Sequence, residues 1–288
     1  MEKIYSLLVA YNPDSVELNN AISRLKAQTD MVLVCNNSDY DVEFSDGKVR
    51  VFNFGENLGI AKAQSFGMEW AFENGADFVL QMDQDSLPSE NMVDQLYTAF
   101  KSLTEQGCRV GLVGPQDYDK VTGDVNEARL NKGTIIPNTR YVNVDSTLSS
   151  GSLIPKAAFE SVGSMLDELF IDVVDQEYCW RLRSKGFTIV KNNEARLAHR
   201  LGNGKIKIFN LLNVGVPTPF RHYYSVRNTI YLLRCSYAPL FWKITAIPKI
   251  VFKILVYPFF LDQGFLRLKF MLKGVRDGVL GNLGSMRK

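Results

Sequence analysis

Between Lys3 and Met82 the chain alternates two hydrophobic rhythms. Short apolar runs, KIYSLLVAY, MVLVC, KVRVFNF and DFVLQM, read as strands, and two longer stretches with apolar residues three and four apart read as helices. The first helix, DSVELNNAISRLKAQ, opens on Asp14 as an N-terminal cap, and the second, GIAKAQSFGMEWAFENG, stops at Gly75. The order strand, helix, strand, strand, helix, strand predicts a mostly parallel, doubly wound sheet. Ligands of such sheets collect beyond the carboxyl ends of the strands.

The rhythm loosens from about Asn91 to Gly202. This region holds a helix, the strand RVGLVGP, turn-rich pieces such as KGTIIPNTRYVNVD, and the stretch SSGSLIPKAAFESVG. Within ELFIDVVDQEYCWRLRSKGF the spacing predicts a helix from about Val173 to Lys185, closed by Gly186. No repeat or low-complexity linker separates this region from the first part. The simplest division is therefore a catalytic domain over residues 1–220, falling into about 1–115 and about 116–220, followed by a helical region over 221–288.

Charge sharpens that division. Twelve of the 33 Lys and Arg but only two of the 31 Asp and Glu lie from Arg221 onward, so the last part is strongly basic and the body acidic although the net charge is only +2. A basic, aromatic tail points to an anionic partner. Lys243, Lys249, Lys253, Pro248 and Pro258 interrupt its apolar runs, which disfavours a bilayer span. Lys249 and Lys253 share a helical face, as do Lys269, Lys273 and Arg276, each beside bulky apolar residues. That pattern suits helices lying in an anionic membrane interface; a basic hairpin packed on the body is the competing reading. The four cysteines, Cys35, Cys108, Cys179 and Cys235, are far apart with no metal-binding spacing, so neither a disulfide framework nor a zinc knuckle is suggested and a reducing compartment is expected. The N-terminus lacks the basic start and long apolar stretch of a signal peptide.

Candidate chemistry begins where the strand FVLQM runs into Asp83, Gln84 and Asp85. Two carboxylates one residue apart at a strand end suit a hard divalent cation that keeps positions open for phosphate oxygens. Alone the triplet also fits a turn before a helix cap. It gains weight from ENLGIAKAQSFG upstream, a glycine-bearing turn feeding a helix, where backbone N–H groups and Lys62 face anionic or polar ligand groups. The chain contains neither the dinucleotide-binding glycine fingerprint nor a P-loop.

Taken together, LLVAYNPD, NLGIAKAQSFG, LQMDQDS, SSGSLI, LFIDVVDQEYCWRLRSKGF, LAHRLG and RHYYSVRN resemble family 2 glycosyltransferases of the GT-A fold, and most closely their bacterial rhamnosyltransferase branch. The resemblance covers nearly the whole chain. It implies an α/β nucleotide-diphospho-sugar transferase fold, with a mixed, mostly parallel sheet flanked by helices and a C-terminal helical appendage. It implies that Asp83 and Asp85 serve the donor ribose and an Mg2+ or Mn2+ ion, Asp85 as the direct ligand, and that His199 completes the metal site unless it is a structural histidine. Donor contacts are expected from Ala10, Tyr11, Asn12, Asn57, Gly59, Lys62 and Gln84, and from Arg221 on the diphosphate. Acceptor contacts are expected from Ser150, Gly151, Asp172, Tyr223 and Tyr224, with packing an equal claim on the tyrosines.

Inverting transfer needs one carboxylate to take the acceptor hydroxyl proton. Asp175 precedes Arg181 by the spacing of the second acid of the family's Glu-Asp pair and is the expected base, while Val174 replaces the usual Glu. Asp172, three residues earlier, is expected on the same helical face and in a shared role. Glu177 reads equally as a solvated residue or a buried partner for Arg181. Cys35 stands where the family carries an Asp that reads the pyrimidine, which shifts base recognition to Asn36, and Ser65 stands where Asn is usual.

The expected activity is inverting transfer of L-rhamnose from dTDP-β-L-rhamnose to a polyprenyl-diphosphate-linked saccharide, at the cytoplasmic face of a bacterial membrane. Another donor sugar, such as galactofuranose, glucose or GlcNAc, and a non-catalytic nucleotide-sugar-binding scaffold are the rivals. Nucleic acid is a third candidate for the tail and is not among the expected partners.

Overall fold

A computed structural model of the chain describes residues 2–125, 133–199, 205–208 and 212–286. The first 83 residues form the predicted alternation: β1 (Ile4–Ala10), α1 (Ser15–Lys26), β2 (Met31–Asn36), β3 (Val49–Asn53), α2 (Ile60–Glu73) and β4 (Phe78–Asp83). Asp14 caps α1 as expected, accepting from Val16 N and Glu17 N, both at 2.9 Å. Leu18, Ala21, Ile22 and Leu25, spaced by three and four, then turn inward.

The chain continues through β5 (Leu87–Pro88), α3 (Met92–Glu105), β6 (Val110–Asp119), β7 (Thr134–Ile135), β8 (Val142–Asn143), β9 (Leu153–Pro155) and α4 (Lys156–Val162). A 3-10 turn (Asp167–Leu169) leads to α5 (Val174–Ser184), and β10 (Thr188–His199), β11 (Lys205–Ile208) and β12 (Leu212–Gly215) follow. Three helices close the chain: α6 (Arg221–Leu232), α7 (Leu240–Phe260) and α8 (Gly264–Leu280).

Ten strands join in one sheet, ordered β3-β2-β1-β4-β9-β6-β10-β8-β7, with β5 pairing on β10. The run β3-β2-β1-β4 is parallel and β9 enters antiparallel between β4 and β6. Alternate side chains feed two cores. Leu7 and Val9 meet Ala61, Met68 and Ala71 of α2, while Leu8 and Ala10 meet Leu18 and Ile22 of α1. Fully burying a leucine such as Leu7 or Leu8 contributes about 1.5–3 kcal/mol. This three-layer arrangement leaves the carboxyl ends of β1, β2 and β4 aligned at one edge, with Val9 opposite both Cys35 and Asp83.

The helix containing Asp175 starts at Val174, and its approach departs from the expectation. Phe170, Asp172 and Val173 adopt φ of 65°, 68° and 67°, so Asp172 lies before the helix and not on its face. The shared-face argument for Asp172 and Asp175 is therefore corrected. Val174, in place of the family's Glu, is buried in the core beside α2.

In the C-terminal helices, Gly274 and Gly278 of α8 face α6. A Cβ on either would come within 2.6 Å of Tyr223 O or 2.7 Å of Arg227 O, so glycine permits this close approach. The opposite side of α7 exposes Leu240, Ile244, Ile247, Val251, Leu255 and Phe259, spaced by three or four. Among the described residues, no helix is long and apolar enough to cross a membrane.

Candidate active site

Asp83 ends β4, and the next turn carries Gln84, Asp85 and Ser86 into β5. Because β5 pairs antiparallel with β10, matching Leu87 to Ala198, the ring of His199 arrives beside this turn. Ser86 Oγ lies 2.7 Å from His199 Nδ1, and Asp85 Oδ1 lies 3.9 Å from the same nitrogen. Ligand atoms of Asp83, Asp85 and His199 all fall within 4.8 Å of one another. Two carboxylates and an imidazole form a donor set that fits a divalent cation. With its proton on Nδ1, donated to Ser86, the imidazole keeps a lone pair on Nε2 for a metal.

Electrostatics concentrate on the same spot. Burial pushes Asp83 from its ordinary 3.8 up to about 6; nearby His199 opposes the rise, Asp85 adds to it and Arg221 opposes it. Asp175, on the first turn of α5, is likewise raised to about 6, first by burial, with Asp83 and Asp172 adding to the rise. Its Oδ1 accepts from Gln176 N at 2.9 Å. A carboxylate raised toward neutrality is a stronger base than an ordinary one. Asp83, Asp85, Asp172, Asp175, His199 and Arg221 therefore form one electrostatic unit.

Arg221 makes a bidentate pair with Asp172, its Nε 3.4 Å from Oδ2 and its Nη2 against Oδ1. The guanidinium expected on a diphosphate is thus ion-paired with the acid expected to share the base role. Glu177 resolves as buried: it accepts from Arg181 Nε at 2.8 Å, Arg181 Nη2 at 3.0 Å and the Tyr237 hydroxyl at 2.8 Å.

On the donor side, Gln84 pairs its amide with both backbone groups of Tyr11, accepting at 2.6 Å and donating at 3.1 Å. The ends of β1 and β4 are thereby tied together, with the Tyr11 ring exposed. Asn12, at φ 45°, donates its N–H to Ser38 Oγ at 2.8 Å. Asn57 Oδ1 accepts from Gly59 N at 2.9 Å, and Gly59, at φ 85°, sits where a Cβ would lie 2.6 Å from the Phe170 ring. Lys62 is exposed on the first turns of α2.

Several residues expected at the ligand are also bonded within the fold. The Asn36 amide donates to Tyr40 O at 2.7 Å and Asn53 Oδ1 at 2.9 Å and accepts from Ser38 N at 3.0 Å, so its hydrogen-bonding groups are engaged inside the fold. Burial pushes the neighbouring Cys35 thiol up to about 12, which leaves it an inert core residue. Ala10 O accepts from Asn37 N at 2.7 Å. Ser150 is buried with its hydroxyl accepting from Asp83 N at 3.1 Å, and Gly151 N donates to Gln81 O at 2.7 Å, so both brace β4. Tyr223 is buried and donates to Asp277 Oδ2 at 2.8 Å, while Tyr224 stacks on Phe170 at 4.9 Å and accepts from Met286 N at 2.9 Å, so both pack within the fold.

Other participants had no strong sequence signal. Lys120 Nζ reaches Asp85 O at 3.3 Å while paired with Glu17 at 2.6 Å, and Asn37 ties the end of β2 to the glycine turn through Leu58 N and Gly59 O, both at 3.2 Å. Ser65, in place of Asn, bonds Asp167 at the 3-10 turn.

A doubly wound sheet edge that gathers two acids, a histidine and a further raised carboxylate has the groups to hold a divalent cation beside a base, a combination that suits transfer of a group from a diphosphate. Residues 7–163 match the model of glycosyl transferase family 2, and the chain belongs to that family. Its fold is the GT-A fold and it is a glycosyltransferase enzyme. It is 30% identical over 302 residues to the dTDP-rhamnosyl transferase RfbF of Shigella flexneri, covering 99% of this chain and 98% of that one. Among solved structures it resembles GalNAc-T7 crystallised with UDP, GalNAc and Mn2+, at a TM-score of 0.59 and 12% identity over 98% of this chain and 56% of that one. It also resembles S. aureus TarS, at a TM-score of 0.56 and 14% identity over 97% and 49% of the two chains.

Proposed function

We propose that the protein transfers L-rhamnose, with inversion, from dTDP-β-L-rhamnose to a saccharide carried on a polyprenyl diphosphate in bacterial cell-surface polysaccharide synthesis. The observation that carries this reading is the near full-length similarity to a dTDP-rhamnosyl transferase, over a chain that brings Asp83, Asp85, His199 and Asp175 to one sheet edge. Asp175 takes the proton of the acceptor hydroxyl on Oδ2, since Oδ1 is occupied by Gln176 N. As that proton leaves, the acceptor oxygen forms its bond to the anomeric carbon and the bond to the dTDP leaving group breaks on the opposite face. Asp83, Asp85 and His199 would hold Mg2+ or Mn2+, which when bound would neutralise charge on the departing diphosphate. Arg221 exchanges Asp172 for a donor or acceptor phosphate. Gln84, Tyr11, Asn57 and Gly59 shape the donor rim.

The acceptor's lipid places the enzyme at the cytoplasmic, anionic face of the membrane. The exposed apolar stripe of α7 and the exposed Phe265, Lys269, Leu272 and Arg276 of α8 support this reading. Burial holds the pKa of Lys253 on α7 below the ordinary value, and the charge of Asp172 opposes that fall. The test is release of nucleotide from dTDP-β-L-rhamnose and from UDP-linked galactofuranose, glucose and GlcNAc, with Mn2+, Mg2+ or EDTA, with and without a polyprenyl-linked acceptor. Metal-dependent turnover is expected with the rhamnose donor. Turnover of a UDP-sugar alone would overturn the donor, and undiminished turnover in EDTA would overturn the metal.

A further inference from the structure

The segment that delivers Asp172 and Asp175 follows a path its side chains disfavour. Phe170, Asp172 and Val173 occupy the left-handed region, where a β-branched valine is a genuine outlier. Such conformations persist only where the surroundings over-determine them.

Two adjacent side chains of α6 supply that determination. Asn228 Nδ2 faces three carbonyl oxygens in turn, Leu169 at 2.9 Å, Ile171 at 2.8 Å and Asp172 at 2.9 Å. Arg227 Nη2 donates to Glu168 O at 3.1 Å and Leu169 O at 2.9 Å. The Arg227 Nε donates to Asn228 Oδ1 at 2.9 Å, which fixes which way the amide points. The remaining guanidinium nitrogen, Nη1, donates to Gly284 O, and Gly284 N donates to Glu168 O at 2.7 Å. Rings of Tyr223 and Tyr224 lie 5.3 and 4.9 Å from the guanidinium.

Both Arg227 and Asn228 are fully buried. Apolar residues would seat α6 with less desolvation, so a buried cation spent on main-chain carbonyls calls for another reason. The carbonyls it holds belong to the strained segment, and that segment is also where Phe170 O accepts from Ala61 N at 3.3 Å at the start of α2.

We propose that Arg227 and Asn228 are positioning residues that hold Phe170–Val173 in its left-handed path, so that Asp172 meets Arg221 and Asp175 is presented beside Asp83. The inference rests on the proposed function only in taking Asp175 as the base. Neither residue touches a reacting atom.

The test uses the full chain with Asn228→Ala, Arg227→Lys, Val173→Gly and the Val173→Gly/Asn228→Ala pair. Nucleotide release from dTDP-β-L-rhamnose with Mn2+ and hydrogen exchange of peptides spanning 168–176 are measured together. Asn228→Ala is expected to lower kcat at least tenfold with a much smaller change in the donor KM, because the Asp83 turn keeps its own bonds to Ser150 and His199. Exchange across 168–176 should quicken while α1 and α3 peptides keep their protection. Glycine takes a positive φ without steric penalty. Val173→Gly in the Asn228→Ala background should therefore raise kcat several-fold, whereas a merely structural Asn228 would make the added glycine neutral or harmful. Arg227→Lys, which keeps the charge but loses the fork, should show the same kcat and exchange signature and stands in if Asn228→Ala does not fold. Wild-type kcat with unchanged exchange in a folded variant, or no gain on adding Val173→Gly, would overturn the proposal. Should wild type not turn over the rhamnose donor, or Asp175→Asn retain activity, the proposed function fails while exchange across 168–176 still decides on the clamp.

Discussion

Replacing Asp175 with Asn is expected to make the protein more stable and almost inactive. The folded pKa of Asp175 is raised from 3.8 to about 6, chiefly by burial. Below about pH 4 both folded and unfolded chains are protonated at this site and the group contributes nothing. As pH rises from about 4 to 6 the unfolded chain ionises first and stability falls. Above that window the folded protein carries the whole penalty. At about 1.4 kcal/mol per unit the shift corresponds to ~3 kcal/mol. Asp175 is partly open to solvent, and an asparagine Nδ2 brings a new donor to be satisfied, so ~1–2 kcal/mol is the expected net gain.

For a chain of this size such a gain corresponds to roughly 2–5 °C in Tm. The assay is thermal unfolding of wild type and Asp175→Asn in EDTA from pH 4.5 to 8. The Tm gap should be near zero at the acid end, open through pH 6 and stay level above pH 7. Asparagine keeps the oxygen that accepts from Gln176 N, so the helix start should persist. Loss of the proton acceptor should lower kcat by about 10²–10⁴-fold. A gap that does not grow with pH refutes the burial argument, and retained transfer refutes the base.

Three further outcomes follow from the geometry. His199→Ala should raise the Mn2+ concentration for half-maximal turnover by about 10–100-fold, and Ser86→Ala by less, since it only orients the ring; a metal titration showing no change would remove His199 from the ligand set. Gly59→Ala meets both a φ of 85° and the Phe170 ring at 2.6 Å, and should lower unfolding free energy by about 2 kcal/mol or more in a denaturant titration. Joint replacement of Ile247, Val251 and Leu255 by Ser should abolish flotation with vesicles containing anionic lipid while leaving nucleotide release from the donor in solution intact; persistent flotation would shift membrane contact away from α7.

Local pattern and tertiary packing divide the work of building this site. The alternation from β1 to β4 and the Asp14 cap were legible because period, caps and turn residues act within a few positions of themselves. The fate of polar side chains was not. Asn36, Ser150, Tyr223 and Tyr224 have the chemistry of ligand-binding residues, yet each is buried and its polar groups serve the chain itself. Residue type reports what a group is able to bond, and only the fold reports what it meets. His199 reaches Asp85 through a two-residue strand, too short to show a period.

The sharpest departure is the one that carries most function. Helical spacing placed Asp172 on the face of Asp175, because Val173 is among the last residues that local propensity would put at positive φ. The fold puts it there, and Arg227 and Asn228, about 55 positions later in the chain, hold the carbonyls that make the path persist. Strain at Val173 and desolvation at Asp175 and Asp83 then fall within one short stretch of space, and both oppose folding. A chain selected for stability alone would relax them with a glycine at position 173 and neutral residues at the acids. Their presence together at one sheet edge is what the proposed transfer, with a metal and a base facing one sugar, requires and packing does not.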